Sequence, residues 1–228
     1  MNHFAVLMKF LRDRPQFYQD IYQQKYLNQT AISLLVCSAA FFALYGMVMG
    51  SFGGGLQLLV SAIKLPALYL LTLAICLPSL FFLEVVAGSK RLFEQYLVLL
   101  LAAMGVIGVM LLGFAPIALF FRLSVNDYAF FQLLNVVILV LVSWTGVQIF
   151  YRGMVAIAEP GSHLLRRRKL IMQSWLCIYG LVGSQLGWTL RPFLGDPNQP
   201  FQLFHRLESN LFLHVLQLIR ELLQVQAT

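Results

Sequence analysis

The residues that could do chemistry in this sequence are few and scattered. Four histidines (His3, His163, His205 and His214) and nine acidic residues are spread over 228 positions. Catalysis needs convergent ionisable groups, a nucleophile with its base, or a metal, and no spacing here supplies one. Cys37, Cys76 and Cys177 each sit inside an apolar stretch, with no CxxC. They read as small buried hydrophobes, not as a disulfide framework or a metal site. The run Gly50-Ser51-Phe52-Gly53-Gly54-Gly55 could cradle a phosphate only with a strand before it, a helix after it and a placed lysine. It lacks that context and reads as a flexible turn. The sequence predicts no catalytic residue, no metal site and no cofactor, and therefore no enzyme. With every histidine outside the apolar stretches, histidine-ligated haem or chlorophyll within a membrane is not expected.

The remaining chemistry is polar groups inside apolar surroundings. Thr72, Asn135, Ser143, Gln148, Gln173 and Gln185 lie in such stretches. In lipid they can hydrogen-bond between helices. A path for an ion or neutral solute lined by Asn135, Gln173 and Gln185 is the alternative. Glu84, at the inner end of the second apolar stretch, is expected to reach the interface and meet Lys90 or Arg91.

The elements that must position these groups follow from composition. The chain is 60% hydrophobic and 11% charged, with mean hydropathy +0.78; a soluble domain carries about 25% charged residues. Ala31–Met49, Leu65–Leu83, Leu97–Phe121, Ala129–Tyr151 and Leu170–Leu190 contain no Asp, Glu, Lys or Arg. Each matches the roughly 17–25 residues a helix needs to cross a bilayer, and lone strands there would leave their backbone unpaired. The expected fold is all-α: an integral membrane bundle of five transmembrane helices with amphipathic surface helices at both ends. No cleavable signal peptide is expected, because the first apolar run follows a long polar segment and has full spanning length. Val36 before Cys37 does not suit a lipoprotein cleavage site.

Residues 1–30 read as a cytoplasmic amphipathic segment. Phe4, Leu7, Met8 and Leu11 share a helix face, Pro15 interrupts, and Tyr18, Tyr22 and Tyr26 form an aromatic stripe suited to the headgroup level. Residues 31–190 form the five-helix domain, and 191–228 an extracytoplasmic turn and amphipathic helix. That last helix starts at Glu208, with Asn210, His214, Gln217, Glu221 and Gln224 as its polar stripe. Eleven Lys and Arg fall on the side of the N-terminus and five on the other. The positive-inside rule then places the N-terminus in the cytoplasm and the C-terminus outside. Arg166, Arg167, Arg168 and Lys169 are the strongest anchor, and that role, not nucleic-acid binding, accounts for the net charge of +7.

Small residues predict the packing seams. Ala39, Ala43, Gly46 and Gly50 share a face of the first span, and Ala102, Gly105 and Gly108 a face of the third. Gln173, Cys177, Gly180, Ser184 and Gly187 share one in the fifth, with Gly183 beside them. Each is expected to close the bundle or form one face of a homo-oligomer. Pro66 is expected near the start of its helix, and Pro78 and Pro116 to kink theirs.

The most distinctive stretch is Gly183-Ser184-Gln185-Leu186-Gly187-Trp188-Thr189-Leu190-Arg191-Pro192-Phe193, continuing to Phe201, Phe204 and Glu208-Ser209-Asn210. With Lys64-Leu65-Pro66 and Leu77-Pro78-Ser79-Leu80, the chain resembles an uncharacterised bacterial family of small polytopic membrane proteins with a GSQLGWTLRPF-type signature. Some members of that family bear an actin-binding WASP-homology label, for which Leu164–Lys169 is too slight a match. The layout alone is similar to the Yip family of membrane-trafficking proteins. The resemblance implies a polytopic helical fold and marks the end of the fifth span as the signature region. Gln185, Trp188, Arg191, Asp196 and Asn210 are its candidate partner-binding residues, with Arg191 bonding the last carbonyls of its helix. The expected protein is a non-enzymatic scaffold or accessory subunit of a bacterial inner membrane. It would bind another membrane protein, a second copy or lipid; the alternative is a channel or carrier.

Overall fold

The computed structural model describes residues 3–125, 127–157, 165–191 and 193–194. Among them are seven α-helices and no strand: α1 (His3–Arg12), α2 (Arg14–Tyr22), α3 (Leu27–Gly50), α4 (Gly55–Val86), α5 (Phe93–Ser124), α6 (Tyr128–Ala156) and α7 (Leu165–Thr189). Leu27–Gly53, Gly55–Val86, Phe93–Ser124 and Phe130–Ala156 are long and apolar enough to cross a membrane. The protein is all-α, with four candidate membrane-spanning helices. The fifth expected span, α7, is 25 residues long, enough length at 1.5 Å per residue. Its apolar density is diluted by Arg166, Arg167, Arg168 and Lys169 at its start and by Gln173, Ser174, Ser184 and Gln185 beyond them.

Helix ends are set by local chemistry more than by charge. Asp13 caps α2 by accepting from the Gln16 amide at 3.2 Å, with Pro15 in the first turn; this is the restart the sequence predicts. Asp127 caps α6 through the Phe130 amide at 2.7 Å. α4 begins at Gly55, after Gly54 at φ +87°, a conformation that favours glycine. Lys64 and Pro66 therefore lie well inside the helix. Pro66 strips the Ala62 carbonyl of its amide partner there instead of sitting harmlessly at an end.

α3 packs between α4 and α5, α6 lies on α5, and α7 lies on α4. The α3–α4 contact is a backbone approach. A Cβ on Gly46 would collide with the Ser61 carbonyl oxygen, and one on Gly50 would meet the Gln57 carbonyl oxygen at 2.6 Å. Gly105 receives Leu7 and Leu34, and Gly108 receives Phe41. The small-residue seams of the first and third spans are thus internal to the chain. Phe42 stacks on Tyr69 at 4.3 Å between α3 and α4. Tyr45 donates to Asn135 Oδ1 at 2.9 Å, joining α3 to α6, while Asn135 Nδ2 donates to the Phe131 carbonyl at 2.8 Å. Hydroxyls of Ser33, Ser38, Thr72 and Thr145 donate to carbonyls of their own helices, as lipid requires.

The loops depart from two expectations. Ser51–Gly53 is a 3₁₀ turn, held by the buried Phe52 against Tyr128 and Phe131, with the Arg122 guanidinium 3.9 Å over its ring. It is pinned, not free. On the opposite face, Leu7 and Phe10 of α1 and Phe17 and Ile21 of α2 point into the core. The tyrosine stripe is broken: Tyr18 packs on Gly153, the Arg91 guanidinium lies 4.1 Å over Tyr22, and Tyr26 follows in a left-handed conformation. Gln95, fully buried, donates to the Ile21 carbonyl at 2.7 Å and accepts from the Leu92 amide, tying α2 to α5.

Gly46→Ala should lower the melting temperature in detergent, because its Cβ meets backbone; overpacking of this kind costs about 1–3 kcal/mol. Gly113→Ala, which meets nothing within 4 Å among the described residues, should melt at or above wild type. Equal melting of the two variants would contradict the close approach.

Candidate functional site

α7 carries the signature residues, and its buried face decides where they point. Trp175 is fully buried. Its indole N–H donates to the Cys76 carbonyl and to Ser79 Oγ, both at 3.1 Å. Its ring packs on Phe150 of α6 and on Tyr179. Met172, Trp175, Tyr179 and Val182 thus face the bundle. Gly183 rests 3.5 Å from Thr72 and Gly187 4.0 Å from Leu68, measured from an added Cβ.

This orientation splits the small-residue face expected of the fifth span. Gly183 and Gly187 turn toward α4. Gln173, Cys177, Gly180 and Ser184 are exposed, and nothing among the described residues lies within 4 Å of a Cβ on Gly180. Ser184 therefore does not pack against a neighbouring helix of this chain among the described residues, and its hydroxyl donates to its own Leu181 carbonyl at 2.9 Å. The large aromatic residues took the inner face because they bury far more apolar area than small ones. The outward faces elsewhere are mostly bulky: Leu59, Ile63 and Phe82 on α4, Ile117 and Phe120 on α5, Leu133, Val140 and Trp144 on α6. Gln148 is an exposed polar exception on α6.

The end of α7 is a clamp. Arg191 Nε donates to the Trp188 carbonyl at 3.1 Å, and the guanidinium lies 3.2 Å from the Trp188 ring centroid. This is the carbonyl contact expected of Arg191, with a cation–π contact added. The Phe193 carbonyl accepts from the buried Gln57 and Ser61 side chains of α4. The turn after α7 is thus fastened to the part of α4 that α3 approaches most closely. Gln185 is half-buried, and its carbonyl accepts from Thr189 Oγ1 at 2.9 Å. Asp196 and Asn210 lie outside the described residues, as does the helix expected from Glu208. Arg166, Arg167, Arg168 and Lys169 lie among the first five residues of α7.

The polar residues proposed as a path do not converge. Asn135 is buried and engaged by Tyr45, whereas Gln173 is exposed on the outer face of α7. Glu84 is fully buried, with Tyr96 donating to Oε2 at 3.4 Å and Ser89 in hydrogen-bonding contact with Tyr96 at 2.7 Å. It does not sit at an open interface. Among the described residues no group of three His, Cys, Asp or Glu could hold a metal. Sequence reasoning missed Trp175, Gln57, Ser61 and Gln95. Trp175, Tyr179 and Val182 recur at helical spacing opposite the small residues, a signal available for the first. The others are polar residues whose partners come from distant segments, and no local pattern marks them.

No family model, no curated protein and no solved structure matches this chain.

Ser61→Ala or Arg191→Lys should open the clamp and expose Phe193 to chymotrypsin in intact membranes. A lost hydrogen bond of about 1 kcal/mol corresponds to roughly fivefold faster cleavage. Digestion of both variants at the wild-type rate would dissolve the clamp.

Proposed function

We propose that this protein is a non-enzymatic membrane scaffold or accessory subunit that holds another membrane protein on the outer face of α7. The observation that carries this reading is the exposed line Gln173, Cys177, Gly180 and Ser184, flanked on α7 by exposed Ile178 and Leu181, where the outward faces of α4, α5 and α6 are mostly bulky and apolar. Small residues let helix backbones approach closely, and polar side chains gain partners that lipid cannot offer. A Gln173 amide left facing hydrocarbon would cost roughly 2–7 kcal/mol. A partner helix removes that penalty, and a second copy of the chain is the other occupant of the same kind.

α7 serves as a fifth span, packed on α4 through Trp175. The membrane is a bacterial inner membrane, with the N-terminus cytoplasmic and the C-terminus outside, on the strength of the charge asymmetry between loops. The signature stretch Gly183–Phe193 resembles that of an uncharacterised bacterial family of small polytopic membrane proteins, which supports the reading. Its clamp fixes the end of the helix that carries the docking face. The channel or carrier alternative needs Asn135, Gln173 and Gln185 along one lumen, and the engagement of Asn135 by Tyr45 favours the scaffold.

The test is purification of tagged protein from its own membrane. Wild type should carry a stoichiometric membrane protein or a second copy. Ser184→Leu should lose it while melting as wild type, since the new side chain enters lipid. Gly183→Leu should cost about 1–3 kcal/mol and so lower the melting temperature, because it pushes α7 off Thr72. A monodisperse wild type without partner, conducting in liposomes, would replace the scaffold by the channel. For orientation, a periplasm-active reporter fused at Thr228 should be active and one at Ser89 silent; the reverse pattern overturns the topology.

A further inference from the structure

On the face that carries α1 and α2, far from α7's clamp, a cavity of about 300 Å³ opens between α1, α2 and the start of α3. Val6, Phe17 and Ile21 give it apolar walls, and Lys9, Asp20 and Lys25 line it with charge. Its level is set by α3. Gln29 and Thr30 line the cavity, and the apolar run of α3 begins at Ala31, after the polar Asn28, Gln29 and Thr30. The cavity therefore lies where hydrocarbon gives way to headgroups. Phe4, Met8 and Tyr26 are exposed around it, as side chains dipping into that layer would be.

We propose that this cleft binds the headgroup of an anionic phospholipid, with the phosphate on Lys25 and Lys9 and the first acyl carbons along Val6 and Phe17. Of the ten lining residues, three are charged, two positive and one negative. The net single positive charge complements a headgroup of one negative charge. Asp20 positions Lys9: its carboxylate accepts from Nζ at 2.7 Å and from Gln16 Nε2 at 3.3 Å. The lysine contact holds the Asp20 carboxyl below its usual pKa range. An ammonium has three donors, so Lys9 retains capacity for a phosphate. Lys25 is exposed and stands between Gln24 and Tyr26, both at positive φ. This backbone turns the chain sharply into α3 and leaves the first turn of α3 without a side-chain cap, adding amide donors on the same side. The volume is at the small end for ligand sites, about 300–1,000 Å³, which suits a headgroup whose tails lie outside in lipid.

The inference rests on the membrane-embedded part of the reading above and not on a partner at α7. The test uses the full chain in detergent, delipidated, with phosphatidylglycerol, phosphatidylcholine or inorganic phosphate added back, read by melting temperature and by native mass spectrometry of bound lipid. Phosphatidylglycerol should stabilise the wild type and remain bound, and phosphatidylcholine and phosphate should not. Lys25→Gln should weaken phosphatidylglycerol binding about fivefold, the contribution of one lysine at an anionic surface. Lys90→Gln, an exposed charge on the same face, should bind as wild type. Ser184→Leu should also keep the lipid response, which separates this site from the α7 docking face. Equal stabilisation by phosphate alone, or unchanged binding by Lys25→Gln, or an equal loss in Lys90→Gln, would each overturn the proposal.

Discussion

Much of the structure depends on the approach of α3 to α4 at Gly46 and Gly50. Without side chains at these two positions, the α4 backbone near Gln57 and Ser61 lies directly against α3. Helices in lipid have no hydrophobic drive toward each other, so close backbone packing is a main source of their association. The contact also buries Gln57 and Ser61 completely or nearly so, and such groups need partners. They find one in the Phe193 carbonyl. The seam between α3 and α4 thus reaches the end of α7 through two polar side chains, and Arg191 closes the same turn.

Satisfying polar groups inside the bundle leaves a division of labour among the helices. Asn135 is spent on Tyr45, Trp175 on Cys76 and Ser79, and Gln95 on Ile21. Each bond joins segments far apart in sequence. Among the described helices α7 combines a large aromatic inner face with an outer one on which the small and polar Gln173, Cys177, Gly180 and Ser184 run beside Ile178 and Leu181. That asymmetry is what a helix needs if it must grip its own chain on one side and another helix on the other.

Much of the fold was legible in the sequence because charge is excluded from lipid. Each of the four long apolar helices contains one of the uncharged runs, and Asp13, Pro15 and Asp127 mark helix starts by ordinary capping chemistry. Boundaries were not legible from charge. Lys64 suggested that the second span starts at Leu65, whereas α4 extends back to Gly55, where Gly54 turns the chain. The glycine-rich turn looked loose because composition does not reveal that Phe52 is buried. In the candidate site, the contact of Arg191 with the last carbonyls followed from a cation at a helix end. Which face of α7 turns inward did not, because small residues and aromatics both announce packing. The competition was decided by the area that Trp175 and Tyr179 bury.

The central claim is that the line Gln173–Ser184 on α7 is covered by another transmembrane helix in the native membrane. The most direct measurement is photo-crosslinking in intact cells from a benzophenone side chain placed at position 184, compared with one at position 144, where Trp144 is exposed on α6. The account predicts a single discrete protein adduct from position 184 and lipid adducts alone from position 144. Lipid adducts alone from both positions would show that α7 faces the bilayer, and would contradict it.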